Sequence, residues 1–125
     1  MSVQTLQDLT DEFQSLSKDM STIVQARQKL DSQLQENKSV QKEFANLPSE
    51  ANIYKLIGPV LVKQDKSEAV MNVDKRLEFI TSEITRIEKQ IADVQEKQEK
   101  KKMEIIQVQG QLQQGAQQQQ AQVGV

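Results

Sequence analysis

The sequence predicts a mainly α fold: a long antiparallel two-helix coiled coil whose helices are joined by one β-hairpin, with a disordered Gln-rich C-terminal tail. Three observations predict it. Apolar residues recur at alternating steps of three and four along two long stretches, the a/d pattern of a coiled-coil seam. Between those stretches, Ile53 to Lys63 is dense in β-branched and aromatic residues, which suit a pleated, half-buried surface. From Gly110 onward the chain turns polar and low in complexity, with Gln117 to Gln120 in a row, and it cannot bury enough apolar surface to offset its chain entropy. The coiled-coil hairpin is assigned to residues 1–112 and the tail to 113–125.

The first helix is expected over about 5–47. Its seam runs through Leu6, Leu9, Phe13, Leu16, Met20, Ile23, Leu30 and Leu34, with Arg27 and Asn37 at the polar seam positions. Val40, Phe44 and Leu47 continue the pattern only after an extra step of three, a stammer expected to overwind the supercoil locally. Thr5 followed by Asp8 resembles a helix-start signal. Pro48 forces Leu47 out of the α region and ends the helix.

After the short connector from Pro48 to Asn52, strands are expected at about 53–57 and 60–64. Gly58 can supply the positive φ of a tight turn. Pro59 lacks a ladder donor, which is tolerable at the start of a strand but not in mid-sheet. Asp65 with Glu68 three residues later makes a capping-box-like start to the second helix, expected over about 67–112. The register there is unbroken over six heptads: Val70, Val73, Leu77, Ile80, Ile84, Ile87, Ile91, Val94, Ile105, Val108 and Leu112, with Gln98 and Lys101 between. Each helix is roughly 65 Å long at 1.5 Å rise per residue.

Composition excludes several function classes. Hydrophobic residues make up 36% and aromatics 3%, without Trp or Cys, which suits seams better than a globular core. Sixteen basic and 18 acidic residues give a net charge of −2, no basis for a nucleic-acid partner, which needs a basic stripe. Without Cys or His there is no thiol nucleophile, disulfide, zinc-finger spacing or His base. No phosphate-binding Gly-rich motif is present, and carboxylates on exposed helix faces have nothing to raise their pKa. The reading is therefore a non-enzyme without cofactor. The N-terminus shows no signal peptide and no apolar run is long enough to span a bilayer, so no membrane partner is expected.

Three blocks make the chain resemble the β-class prefoldin subunits: Arg27 to Lys38 (RQKLDSQLQENK), Tyr54 to Gln64 (YKLIGPVLVKQ), and Asn72 to Ile80 (NVDKRLEFI) with Glu83 to Arg86 (EITR). The likeness runs from about residue 5 to 112. It implies an ATP-independent cytoplasmic co-chaperone built from two α-class and four β-class subunits, whose hairpins pool into a β-barrel platform. It further implies that the coiled-coil tips hold unfolded clients, actin and tubulin among them, for the cytosolic chaperonin. One hairpin between the helices fits the β class.

A plain turn needs only a few residues, whereas this linker devotes about a dozen to two strand-like runs, and exposed strand edges invite pairing with another chain. Assembly residues are therefore expected at Ile53, Tyr54, Leu56, Ile57, Gly58, Val60, Leu61 and Val62. Phe79, at a c position beside the seam, is expected to join them. Client contacts are expected at the tips, from Leu6, Leu9, Phe13, Ile105, Val108 and Leu112, with Ile106 lying off the seam and Met103 adaptable in shape. Gln98 and Lys101 weaken the core behind this tip. The run Lys100 to Lys102, flanked by Glu96, Glu99 and Glu104, is expected as a solvated, salt-bridged face. The competing readings are a scaffolding coiled-coil adaptor without chaperone activity and a prefoldin-like subunit of another assembly.

Overall fold

The computed structural model describes the backbone of residues 2–123 and the side chains of residues 2–117. Four elements follow in order: α1 (Val3–Asn46), β1 (Ile53–Ile57), β2 (Val60–Gln64) and α2 (Lys66–Val123).

Ser2 caps α1. Its hydroxyl accepts the Thr5 backbone N–H at 3.2 Å, and its carbonyl accepts the Leu6 N–H at 3.3 Å. The helix thus starts at Val3, two residues before Thr5, which occupies the third helical position; Ser is among the strongest N-cap residues because its short side chain reaches that donor. At the other end, Pro48 stops the helix. The Leu47 N–H bonds back to the Phe44 carbonyl at 3.2 Å, and the Lys66 ammonium donates to the Leu47 carbonyl at 2.7 Å. A cation there meets unpaired carbonyls and the negative end of the helix dipole. A turn closed by the Ala51 N–H on the Pro48 carbonyl at 3.0 Å leads into β1.

The hairpin is antiparallel and pairs Ile53 with Gln64, Tyr54 with Lys63, Lys55 with Val62, Leu56 with Leu61 and Ile57 with Val60. Gly58 and Pro59 are left as a two-residue turn. Gly58 has φ +57°, and Pro59 is restricted to negative φ, the combination of a type II′ turn. Pro59 therefore sits outside the ladder, where its missing N–H costs nothing.

At the start of α2 the Asp65 carbonyl accepts the Ala69 N–H at 2.9 Å, which makes Asp65 the N-cap, and Glu68 lies in the first turn. The helical backbone runs to Val123, past the end expected near 112. Gln and Ala favour helix, and a glycine in mid-helix costs only about 1 kcal/mol. No side chain from 113 to 117 is buried, so propensity alone acts there; the side chains of the remaining tail lie outside the described residues.

The chain divides into two units, residues 26–88 and residues 1–25 with 89–125. Within the first, Arg27 bonds Glu88 at 2.8 Å and Gln41 bonds Asp74 at 2.9 Å, so the helix segments run antiparallel. Val73, Ile80, Ile84 and Ile87 of α2 are buried, and Leu30, Leu34, Val40 and Phe44 of α1 are half-buried, with Val73, Val40 and Phe44 lining one recess. Within the second, Glu12 meets Lys101 at 2.6 Å and Ser17 meets Gln98 at 3.2 Å, again antiparallel. Every predicted seam position from Leu6 to Leu47 and from Val70 to Leu112 is half-buried or buried, including those after the stammer. No described α1 residue is fully buried, so the buried side of the seam is carried by α2.

Candidate functional site

Successive strand side chains alternate between faces. One hairpin face carries Ile53, Lys55, Ile57, Val60, Val62 and Gln64; the other carries Tyr54, Leu56, Leu61 and Lys63. Only the pair farthest from the turn is covered. Ile53 is 8% exposed, beside a recess lined by Val40, Phe44, Ala69 and Val73, so it anchors the hairpin to its own helices. Beyond it, Tyr54, Leu56, Ile57, Val60, Leu61 and Val62 are all exposed, Leu56 at 67% and Leu61 at 64%. A sheet with one solvated face normally shows polar residues there; apolar residues on both faces are the pattern of strands covered on both sides.

Both edges are open, because the sheet has two strands. In a two-residue hairpin the residues flanking the turn bond each other, and bonded and non-bonded pairs then alternate. The backbone N–H and C=O groups of Tyr54 and Leu56 on β1, and of Leu61 and Lys63 on β2, therefore point outward. The structure thus brings together six of the eight hairpin residues expected at an interface as one apolar, edge-open surface, with Gly58 at its turn and Ile53 turned inward against the helices.

Phe79 lies on the outer side of α2, 65% exposed, one residue from Ile80, which is 3% exposed. Met71 is exposed two turns earlier. The sequence reading passed over Met71, although its b position in the same register marks it as pointing away from the seam.

The unit holding the chain termini presents a closed seam. Val108 is 2% exposed, and Leu6, Leu9, Phe13, Ile105 and Leu112 are half-buried. Of the expected tip residues only Ile106 is exposed, at 53%, and Met103 is exposed near it. Behind this closure lies a polar layer: Gln98 donates to the Ser17 hydroxyl, and Lys101 pairs with Glu12 at 2.6 Å and Glu104 at 3.7 Å. Lys101 belongs to the seam and not to a solvated face, since its d position turns it toward α1. Its pKa is raised, chiefly by the hydrogen bond to Glu12. In the other unit, Asn37 donates to the Gln33 carbonyl at 2.7 Å and accepts from Arg76 at 3.5 Å. Polar seam groups of this kind fix register and orientation.

Among the described residues the electrostatics build no acid–base site. The Arg86 hydrogen bond holds the Glu83 carboxyl below its ordinary pKa, the opposite of what a general acid requires. Among the described residues no group of His, Cys, Asp and Glu is placed to hold a metal, and no helix is long and apolar enough to cross a membrane. What this surface offers is contact: apolar side chains and unpaired strand edges.

Comparisons with known proteins agree with this fold. Residues 7–112 match the family described as Prefoldin subunit. The chain is 50% identical over 101 residues to prefoldin subunit 6 of Saccharomyces cerevisiae, covering 81% of this chain and 89% of that one. It is 43% identical over 108 residues to prefoldin subunit 6 of Bos taurus, covering 86% and 84%. Its fold matches the crystal structure of the prefoldin beta subunit from Thermococcus strain KS-1 with a TM-score of 0.79 at 26% identity, covering 83% of this chain and 91% of that one.

Proposed function

The chain belongs to the prefoldin subunit family, one of chaperone components and not of enzymes, and from this premise we propose that it works as a β-class subunit of a cytoplasmic heterohexamer. Its partners there are two α-class and three further β-class subunits. The complex captures unfolded or nascent chains, actin and tubulin among them, without ATP and hands them to the cytosolic chaperonin. The observation that carries this reading is the hairpin, apolar on both faces and open at both edges. A lone two-stranded hairpin is marginal in water, and pooling hairpins from several subunits would cover it.

Client contact is assigned to the unit holding the termini, directly through the exposed Ile106 and, where the coil end splays, through Leu6, Leu9, Phe13, Ile105, Val108 and Leu112. Shape-tolerant apolar contact without a pocket suits a partner that has no fixed structure. Each tip need bind only weakly, because several tips on one platform raise avidity by effective concentration. The test is suppression of aggregation of denatured actin by the purified complex. Met103→Ser with Ile106→Ser, both exposed in the chain, should weaken holding while leaving subunit composition unchanged. Undiminished holding by that variant, and by one lacking residues 1–9 and 105–125, would remove the tip assignment.

A further inference from the structure

The hairpin's charge is one-sided. From Ile53 to Gln64 it contains two lysines and no acid. Lys55 lies on the face with Ile57, Val60 and Val62, and Lys63 on the face with Tyr54, Leu56 and Leu61, so each apolar face carries one cation. Both are exposed, and neither takes part in an ion pair among the described residues. Covering these faces brings an unpaired ammonium out of water unless the covering surface supplies a counter-charge.

Self-pairing does the reverse. Along β1, the antiparallel register that bonds the outward groups of both Tyr54 and Leu56 to a second copy sets Lys55 directly opposite its own equivalent, in a close non-bonded pair. Along β2, the register that uses both Leu61 and Lys63 makes the two Lys63 side chains diagonal neighbours on one face, about 7–8 Å apart. Like charges so placed destabilise a strand pair, and edge lysines are a recognised guard against self-association.

We propose that Lys55 and Lys63 select the hairpin's partner: a strand of a different subunit that lays carboxylates over both apolar faces, and not a second copy of this chain. The proposal rests on the hairpin being an assembly element and adds the chemistry of what it accepts.

The test uses the complex purified through the tagged full-length chain. A zero-length carbodiimide, which joins an amine to a carboxylate in contact with it, is applied and the linked peptides are identified by mass spectrometry. Links from Lys55 and Lys63 to Asp or Glu of a partner strand are expected. Links from other lysines to partners without any from these two overturn the proposal. Independently, Lys55→Glu with Lys63→Glu should reduce incorporation into the complex at least tenfold with the circular-dichroism melt of the isolated chain unchanged. Lys55→Thr with Lys63→Thr should make the isolated chain self-associate in sedimentation velocity, where the unaltered chain stays monomeric. Normal incorporation of the glutamate variant, or self-association of the unaltered chain, refutes charge selection. Leu56→Ala with Leu61→Ala separates the two levels: if that variant incorporates normally, the assembly reading itself fails.

Discussion

Leu56 and Leu61 face each other across the hairpin and are 67% and 64% exposed. Fully burying a leucine stabilises by about 1.5–3 kcal/mol, so covering the remaining two-thirds of each is worth ~1–2 kcal/mol, or ~2–4 kcal/mol for the pair. At 1.4 kcal/mol per tenfold, Leu56→Ala with Leu61→Ala should weaken subunit association by roughly 30- to 700-fold. In the isolated chain the same side chains already lie in water, where substitution changes stability by less than about 0.5 kcal/mol. The assay is paired: a thermal melt of the isolated chain by circular dichroism, and a competition in which tagged variant and untagged wild-type chains enter the complex together. An unchanged melt with strongly depleted incorporation is expected. A melt lowered as much as incorporation would mean that these leucines support the chain's own fold. Equal incorporation would mean that the exposed hairpin is not an interface at all.

Three further outcomes follow from the geometry. Gly58→Ala should destabilise the hairpin by about 1–2 kcal/mol, because φ is +57° while the space around a new Cβ is open; Gly58→Asn, which tolerates that conformation, should cost less, as read by amide exchange of 54–63. Ile80→Ala should cost ~2–5 kcal/mol in the melt of the isolated chain, whereas its exposed neighbour Phe79→Ala should cost less than about 0.5 kcal/mol. The raised pKa of Lys101 means that its pairing with Glu12 and Glu104 contributes fully below the ordinary lysine value of 10.5 and is lost as pH rises through the higher folded-state value. Amide protection of residues 9–13 and 98–105 should therefore hold up to pH 10.5 and fall above it in wild type and not in Lys101→Met; equal loss in both would refute it.

The seam was legible because a heptad pattern states burial residue by residue. Even the stammer after Asn37 could be read, since Val40 and Phe44 had to return to the same side. The strand limits were legible from the β-branched runs around Gly58-Pro59, but the pairing register was not; it required the turn to be known as two residues long. The start of α1 was misplaced because Thr5 and Asp8 imitate a helix-start signal that Ser2 in fact supplies. The helical backbone of α2 continues past the seam's end near 112 because loss of a seam removes burial without removing the helix propensity of Gln and Ala. Cross-helix pairings, such as Lys66 on the Leu47 carbonyl or Lys101 on Glu12, lie 19 and 89 residues apart in sequence, and no local pattern announces them. By sequence alone Ile53 has the same standing as Ile57. Only packing separates the residue that docks the hairpin from those left exposed.

The most direct measurement is native mass spectrometry of the tagged chain purified from its own cells, with every co-purifying subunit identified. The account predicts one heterohexamer containing this chain once, with five other small coiled-coil subunits, which dissociates when Leu56 and Leu61 are replaced. A homodimer, or an unrelated set of partners that persists after those replacements, would contradict it.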